Sequence, residues 1–381
     1  MATLTGVQYS GIWTMQQVNA AIAAGTWPTI GPRLFTWGFN ANGQLGLGNT
    51  TNYSSPKQVG TLTTWSQISA KTASVLAIKT DGTLWSWGDN GTGALGLGNR
   101  TYYSSPKQVG SGTSWALVKS VGSVVAVKTD GTLWTWGGNS IGELGLGNVT
   151  YYSSPKQVGA LTNWSKIAVS NNAMAAIKTD GTLWSWGNNN YGQLGLGNRT
   201  LYSSPKQVGA LTNWATISAG GNFCLATKTD GTLWAWGANI VGCLGTGNST
   251  NYSSPKQVGA LTNWLRVSGG QYSSYAVKTD GTYWVIGSNG SGQLGTGNIT
   301  NYSSPKQLGA LTNWTYPSGG NDHAAGLRSD GTLWTFGANS RGQLGVGNIT
   351  KYSSPKQVGS LTTWTTLADP IYDTTVAIAI T

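Results

Sequence analysis

Seven near-copies of one unit run through this chain, and their fixed period constrains the fold before any local propensity does. The unit is clearest over residues 180–214, DGTLWSWGNNNYGQLGLGNRTLYSSPKQVGALTNW. Its SSPKQ segment places prolines at Pro56, Pro106, Pro155, Pro205, Pro255, Pro305 and Pro355, at spacings of 50, 49, 50, 50, 50 and 50 residues. One such unit cannot bury its own apolar face, so neighbours must stack on it. An unbroken period over 381 residues therefore argues for a single array rather than two or three domains.

Each unit reads as four short strands. The first is the LWSWG type, at residues 34–38, 84–88, 133–137, 183–187, 233–237, 283–287 and 333–337. The second runs through SPKQVG, the third follows the tryptophan of LTNW, and the fourth is of the VLAIK type, as at residues 75–79. Thr-Asp-Gly joins fourth to first, as at residues 80–82, and Asp-Gly between apolar strands is a strong hairpin signal. Leu84, Trp85 and Trp87 put large side chains on both faces of one strand. Both faces must then be covered, which blades stacked face to face around an axis achieve.

Residues 376–381 supply a strand that ends where the next Asp-Gly would come, and residues 31–34 start where the strand after that turn would begin. Pairing residues 34–37 with 376–380 closes a ring and removes two sheet edges. The expected fold is all-β: a seven-bladed propeller of four-stranded blades over residues 34–381. An attachment segment with a short helix, residues 1–33, precedes it.

Composition agrees with tryptophan-rich packing and glycine-rich turns, with 20 tryptophans, 57 glycines and only 9% charged residues. Glycines such as Gly46 and Gly48 suit positive φ or close blade contact, and no Gly-Lys-Ser/Thr follows to make a phosphate loop. The tryptophans Trp65, Trp115, Trp164, Trp214, Trp264, Trp314 and Trp364 read as core between blades.

Chemistry finds little to work with. Six of the 11 acids are the turn residues Asp81, Asp130, Asp180, Asp230, Asp280 and Asp330, repeated because the turn is. Asp89, Glu143, Asp322, Asp369 and Asp373 are scattered, and Asp322-His323 has no nucleophile to serve. Two cysteines, Cys224 and Cys243, and one histidine make neither a disulfide framework nor a zinc site. No enzyme, metal or cofactor is expected.

The pattern D-G-T-L-W-x-W-G-x-N-x-x-G-Q-L-G-x-G, a later S-P-x-Q-V and the S-A-G-G-N of residues 218–222 resemble the regulator of chromosome condensation repeat family over residues 34–381. The resemblance implies a seven-bladed propeller. It implies function only broadly, because that family includes a guanine nucleotide exchange factor for a small GTPase and protein inhibitors of enzymes. The units here carry no insertion resembling the exchange factor's wedge between blades.

Where copies agree, blade packing explains them; binding should lie where they differ. Loop positions of this kind give Phe39, Tyr191, Phe223, Ile240, Tyr272, His323 and Arg341, several of them residue types that anchor interfaces. The net charge of +11 concentrates in repeated cations. Lys57, Lys107, Lys156, Lys206, Lys256, Lys306 and Lys356 form one ring, and Lys79, Lys128, Lys178, Lys228, Lys278 and Arg328 nearly form a second. Such spacing suits a broad anionic surface better than sequence-specific nucleic-acid recognition.

Before the first unit, Thr14-Met15-Gln16-Gln17 has capping-box spacing, and Met15, Val18, Ala21 and Ile22 fall on one helical face. Trp13, Met15, Val18, Ile22 and Trp27 are the candidate attachment residues. Residues 11–28 resemble a segment of tailed-phage structural proteins. The expectation from it is a non-enzymatic phage virion structural protein (decoration, fibre or tail-associated), assembled in the host cytoplasm without a signal peptide. Its partners would be other virion proteins, through residues 1–33, and an anionic glycan or protein on a host surface, with no membrane insertion. Two other readings stand beside it: an intracellular propeller acting as regulator, exchange factor or inhibitor of one protein partner, and a lectin-like glycan binder.

Overall fold

A computed structural model describes residue 16 and residues 30–71, 73–368 and 373–381. Among these, 28 strands form seven antiparallel four-stranded sheets, the blades of a propeller. Six blades are built from consecutive strands: blade 1 from residues 65–108, blade 2 from 115–157, blade 3 from 164–207, blade 4 from 214–257, blade 5 from 264–307 and blade 6 from 314–357. Blade 3 stands for all: Trp164–Ser170 is innermost, then Ala173–Lys178, Leu183–Gly187 and the outer strand Tyr202–Gln207. Inner strands of neighbouring blades touch each other around the axis. The second strand, AMAAIK, is covered on both faces and both edges and is buried throughout. Outer strands all read YSSPKQ, and their proline sits where a missing N–H costs no ladder bond.

Blade 7 closes the ring. Its order is Tyr53–Gln58, Pro32–Gly38, Thr374–Ile380, Trp364–Leu367, so early and late parts of the chain share one sheet. Pairing runs from Pro32↔Ile380 through Leu34↔Ile378 to Gly38↔Thr374, as the two half-hairpins require. Just beyond, Gly31 and Thr381 exchange backbone hydrogen bonds of 3.4 Å.

The cores lie between blades. One cluster joins Leu34, Val59 and Ile378 of blade 7 to Trp65, Val75 and Trp87 of blade 1. Trp65 and its six counterparts are at most 6% exposed and meet their neighbours edge-on, as Trp65 does Trp87 at 6.1 Å. The Trp87 indole N–H crosses to the Gln44 carbonyl of the preceding blade at 2.9 Å, and Trp37 closes the circle on Gln343 at 2.9 Å. Gly46 has φ +71, and a Cβ there would stand 2.7 Å from the Trp87 indole nitrogen, so both reasons for glycine hold at once. Blades 5 and 6 carry Ile286 and Phe336 at this place.

The Asp-Gly hairpins form as expected. Asp81 accepts from the Thr83 backbone N–H (2.9 Å) and hydroxyl (2.7 Å), and that hydroxyl accepts from the Trp85 indole (2.9 Å). These bonds hold the Asp81 carboxyl below the usual carboxylate range. Every element among the described residues from residue 30 onward is a strand. The expected short N-terminal helix lies outside the described residues apart from Gln16, together with Trp13, Met15, Val18, Ile22 and Trp27.

Candidate binding end and axial channel

Strand direction gives the propeller two different ends. One carries the Asp-Gly hairpins. The other, the loop end, carries the connections from inner to second strand and the start of the long loop after each third strand. Backbone bonds tie these loops together within a blade, as Asp89 N–H to Ala73 O (2.8 Å) and Phe39 N–H to Asp373 O (2.7 Å). Blade is tied to blade as well, by the backbone bonds Asn171 N–H to Gly221 O (2.8 Å) and Gln271 N–H to Gly320 O (3.0 Å) and by the Thr92 side-chain hydroxyl, which donates to Gly122 O (2.8 Å). Two sets of positions where the repeats disagree are thereby gathered on one rigid face.

On that face Tyr191, Ile240 and Tyr272 of blades 3, 4 and 5 are 36%, 65% and 47% exposed. They form an apolar arc. The neighbouring arc is charged: the Arg341 guanidinium lies 5.1 Å from the Phe39 ring centroid, and Asp322 and Asp373 are half-buried beside it. Burial raises both carboxyls, and for Asp373 the Arg341 charge opposes that rise. The Gln343 side-chain amide donates to Asp373 at 2.8 Å.

Two predicted contact residues are not at the surface. Phe223 is 1% exposed and His323 0%, because each is the first residue of a second strand, Phe223–Lys228 and His323–Arg328, and not a loop tip. The His323 Nε2 lies 3.2 Å from the Thr375 hydroxyl, while Asp322 faces Gln293 and Asn321. The two adjacent residues thus form no acid–base dyad. Burial lowers the His323 pKa to about 4 and keeps the ring neutral. Cys224 and Cys243 are buried thiols without a disulfide, and burial pushes the Cys243 thiol up to about 12.

The outer lysines, Lys57 and its six counterparts, are exposed on the outer strands around the rim. Each lies near the tyrosine that opens its strand, from 5.1 Å for Lys356 and Tyr352 to 6.0 Å for Lys256 and Tyr252. Pointing outward from a circle, they do not converge on one small ligand. The second ring is built into the structure. Lys79 lies 3.7 Å from the Trp85 ring centroid and 5.3 Å from that of Trp65, with burial lowering its pKa and Asp81 opposing.

Sequence reasoning missed the axial channel. Inner strands enclose a cavity of about 470 Å³, lined by Lys119, Lys166, Arg266 and Tyr316 among others, which continues into a neck of about 100 Å³. The Arg266 guanidinium packs 5.2 Å from the Tyr316 ring. The signal was available. Two residues after the inner-strand tryptophan the seven copies read Gln67, Leu117, Lys166, Thr216, Arg266, Tyr316 and Thr366, while the outer strand reads YSSPKQ every time.

A family model of the RCC1-like domain matches residues 16–269 and 120–379. No curated protein matches the chain. Among solved structures the chain is similar to Prp20p from Saccharomyces cerevisiae, described with its binding properties to Gsp1p and histones (TM-score 0.82, 19% identity, 92% of each chain covered). It is similar to human WBSCR16 (TM-score 0.82, 21% identity, 92% of this chain and 99% of that one). It is also similar to yeast RCC1 (Prp20) bound to Kap60 (TM-score 0.81, 18% identity, 100% and 96%). At these identities the likeness establishes the fold. The family match overturns the expectation of a phage virion component. That expectation drew on residues 11–28, whereas the match spans nearly the whole chain.

Proposed function

The chain belongs to the RCC1-like domain family, and from that premise we propose that it is a non-catalytic propeller regulating one protein partner, which it binds across the loop end. The observation that carries this reading is the placing of Tyr191, Ile240 and Tyr272, exposed and not repeated, beside the Arg341–Phe39 contact on one rigid face. Aromatic and arginine side chains on a pre-ordered surface are the usual energetic anchors of protein interfaces. The relatives point the same way, since Prp20p is described with Gsp1p and histones and yeast RCC1 with Kap60. A non-catalytic role fits the acids, because the six turn aspartates are each engaged by the threonine two residues on.

The test uses the full chain as bait for its partner, followed by titration with purified partner. Tyr191→Ala/Ile240→Ala/Tyr272→Ala should weaken binding roughly a hundredfold or more. A rim variant, Lys57→Gln/Lys156→Gln/Lys256→Gln, should bind within about twofold of the parent. Undiminished binding by the loop-end variant would refute the reading.

A further inference from the structure

The strand nearest the axis is where the repeats diverge most, and its divergence is chemical. Lys166 and Arg266 occupy the same position of their inner strands, both exposed to the channel, where other blades carry glutamine, leucine, threonine or tyrosine. Lys119 stands where four other blades have a serine that joins neighbouring inner strands. Ser69 accepts from the Ser120 N–H (3.1 Å), Ser218 from Gly269 (3.1 Å) and Ser268 from Gly319 (3.0 Å), while Ser318 donates to Ala368 O (2.6 Å). In blade 2 that seam serine is replaced by a cation that lines both the chamber and its neck.

We propose that the axial channel is a binding site for a small anion carrying two or more phosphate groups. Three cations line one channel volume, and no carboxylate is among the described residues that line it. The other cations differ. Rim lysines diverge around a circle, and those of the second ring are held between two indoles near a turn aspartate. Like charges around a narrow, low-dielectric channel focus positive potential, and an entering anion relieves their repulsion. The Arg266 guanidinium, 5.2 Å from the Tyr316 ring centroid, presents a fork that matches two phosphate oxygens. A chamber of about 470 Å³ is in the size range of small-molecule sites and is too small for a nucleic-acid duplex.

Calorimetric titration of the full chain with inorganic tripolyphosphate at low ionic strength tests the site. One ion per chain is expected, with orthophosphate binding more weakly. Lys166→Gln and Arg266→Gln should each lower affinity roughly tenfold, a loss in keeping with one charge-assisted bond. Lys166→Arg should retain binding, Thr366→Glu should abolish it, and Lys57→Gln/Lys206→Gln on the rim should leave it unchanged. Near-ultraviolet circular dichroism of the tryptophans verifies that each variant is folded, and Thr366→Glu tests the site without removing a cation. Absence of binding, several ions per chain, or full affinity in Lys166→Gln/Arg266→Gln would each overturn the proposal. The outcome does not depend on the protein partner, so it stands or falls separately from the loop-end reading.

Discussion

The ammonium of Lys178 lies 3.9 Å from the centroid of the Trp184 ring and 4.9 Å from that of Trp164. The same slot recurs with Lys79, Lys128, Lys228, Lys278 and Arg328. It makes one side chain serve three purposes. The stem covers indole surface, the charge faces two π clouds, and Asp180 offsets part of the cost of burying that charge.

Replacing that cation while keeping its stem removes the charge, and with it the attraction to both rings and to Asp180. Lys178→Met should lower stability by roughly 0.5–2 kcal/mol, read as a lower urea midpoint with an unchanged slope. An unchanged midpoint would mean that the lysine acts only as a spacer.

Closure of the ring rests on a short stretch of pairing, in which Ile378 is 1% exposed and opposite Leu34. Ile378→Asp buries a charge with no partner provided for it and should cost about 4 kcal/mol or more. Because blade 7 joins both parts of the chain, the whole propeller should melt earlier in one transition. A second transition confined to blade 7 would argue that closure is not cooperative.

Histidine burial makes stability depend on pH. The His323 pKa is about 4 when folded, against about 6.5 for an unfolded histidine, so the unfolded chain holds more protons between those values. Stability should be complete above about pH 6.5 and fall towards pH 4, by at most roughly 3 kcal/mol from this group. His323→Phe takes the residue found at the same place in blade 4, Phe223, and should flatten the slope in that window. The turn aspartates, lowered by their threonine bonds, act in a different range: their contribution is present above about pH 3.9 and is lost as pH falls further. Melting temperatures of parent and variant from about pH 2 to 8 separate the two, since only the part above about pH 4 should change in His323→Phe.

Much of this was legible in the sequence, and the exceptions have physical causes. The period, the Asp-Gly hairpins and the half-hairpins at residues 31–34 and 376–381 together require a closed ring of blades, and Leu34 does pair with Ile378. Phe223 and His323 were misplaced by one residue at a strand boundary, and in a strand one residue separates a loop tip from a core position. The channel cations escaped notice because periodicity is the same for inner and outer strands. Only the uneven spread of variation, absent from YSSPKQ and concentrated after Trp65 and its counterparts, distinguishes them. For residues 11–28, a short likeness without repetition carried too little information to set against seven concordant units.

Gly31 and Thr381, joined by two backbone hydrogen bonds, turn a linear series of repeats into a loop without an outermost member. A stack of repeats can fray from its last unit inward, losing stability one interface at a time. A closed circle has no last unit. Removing any blade breaks two interfaces and opens a gap that the other six cannot fill without changing their mutual angle. Uniform repeats, which in an open array would tolerate gain or loss of a copy, are here locked to a number by geometry.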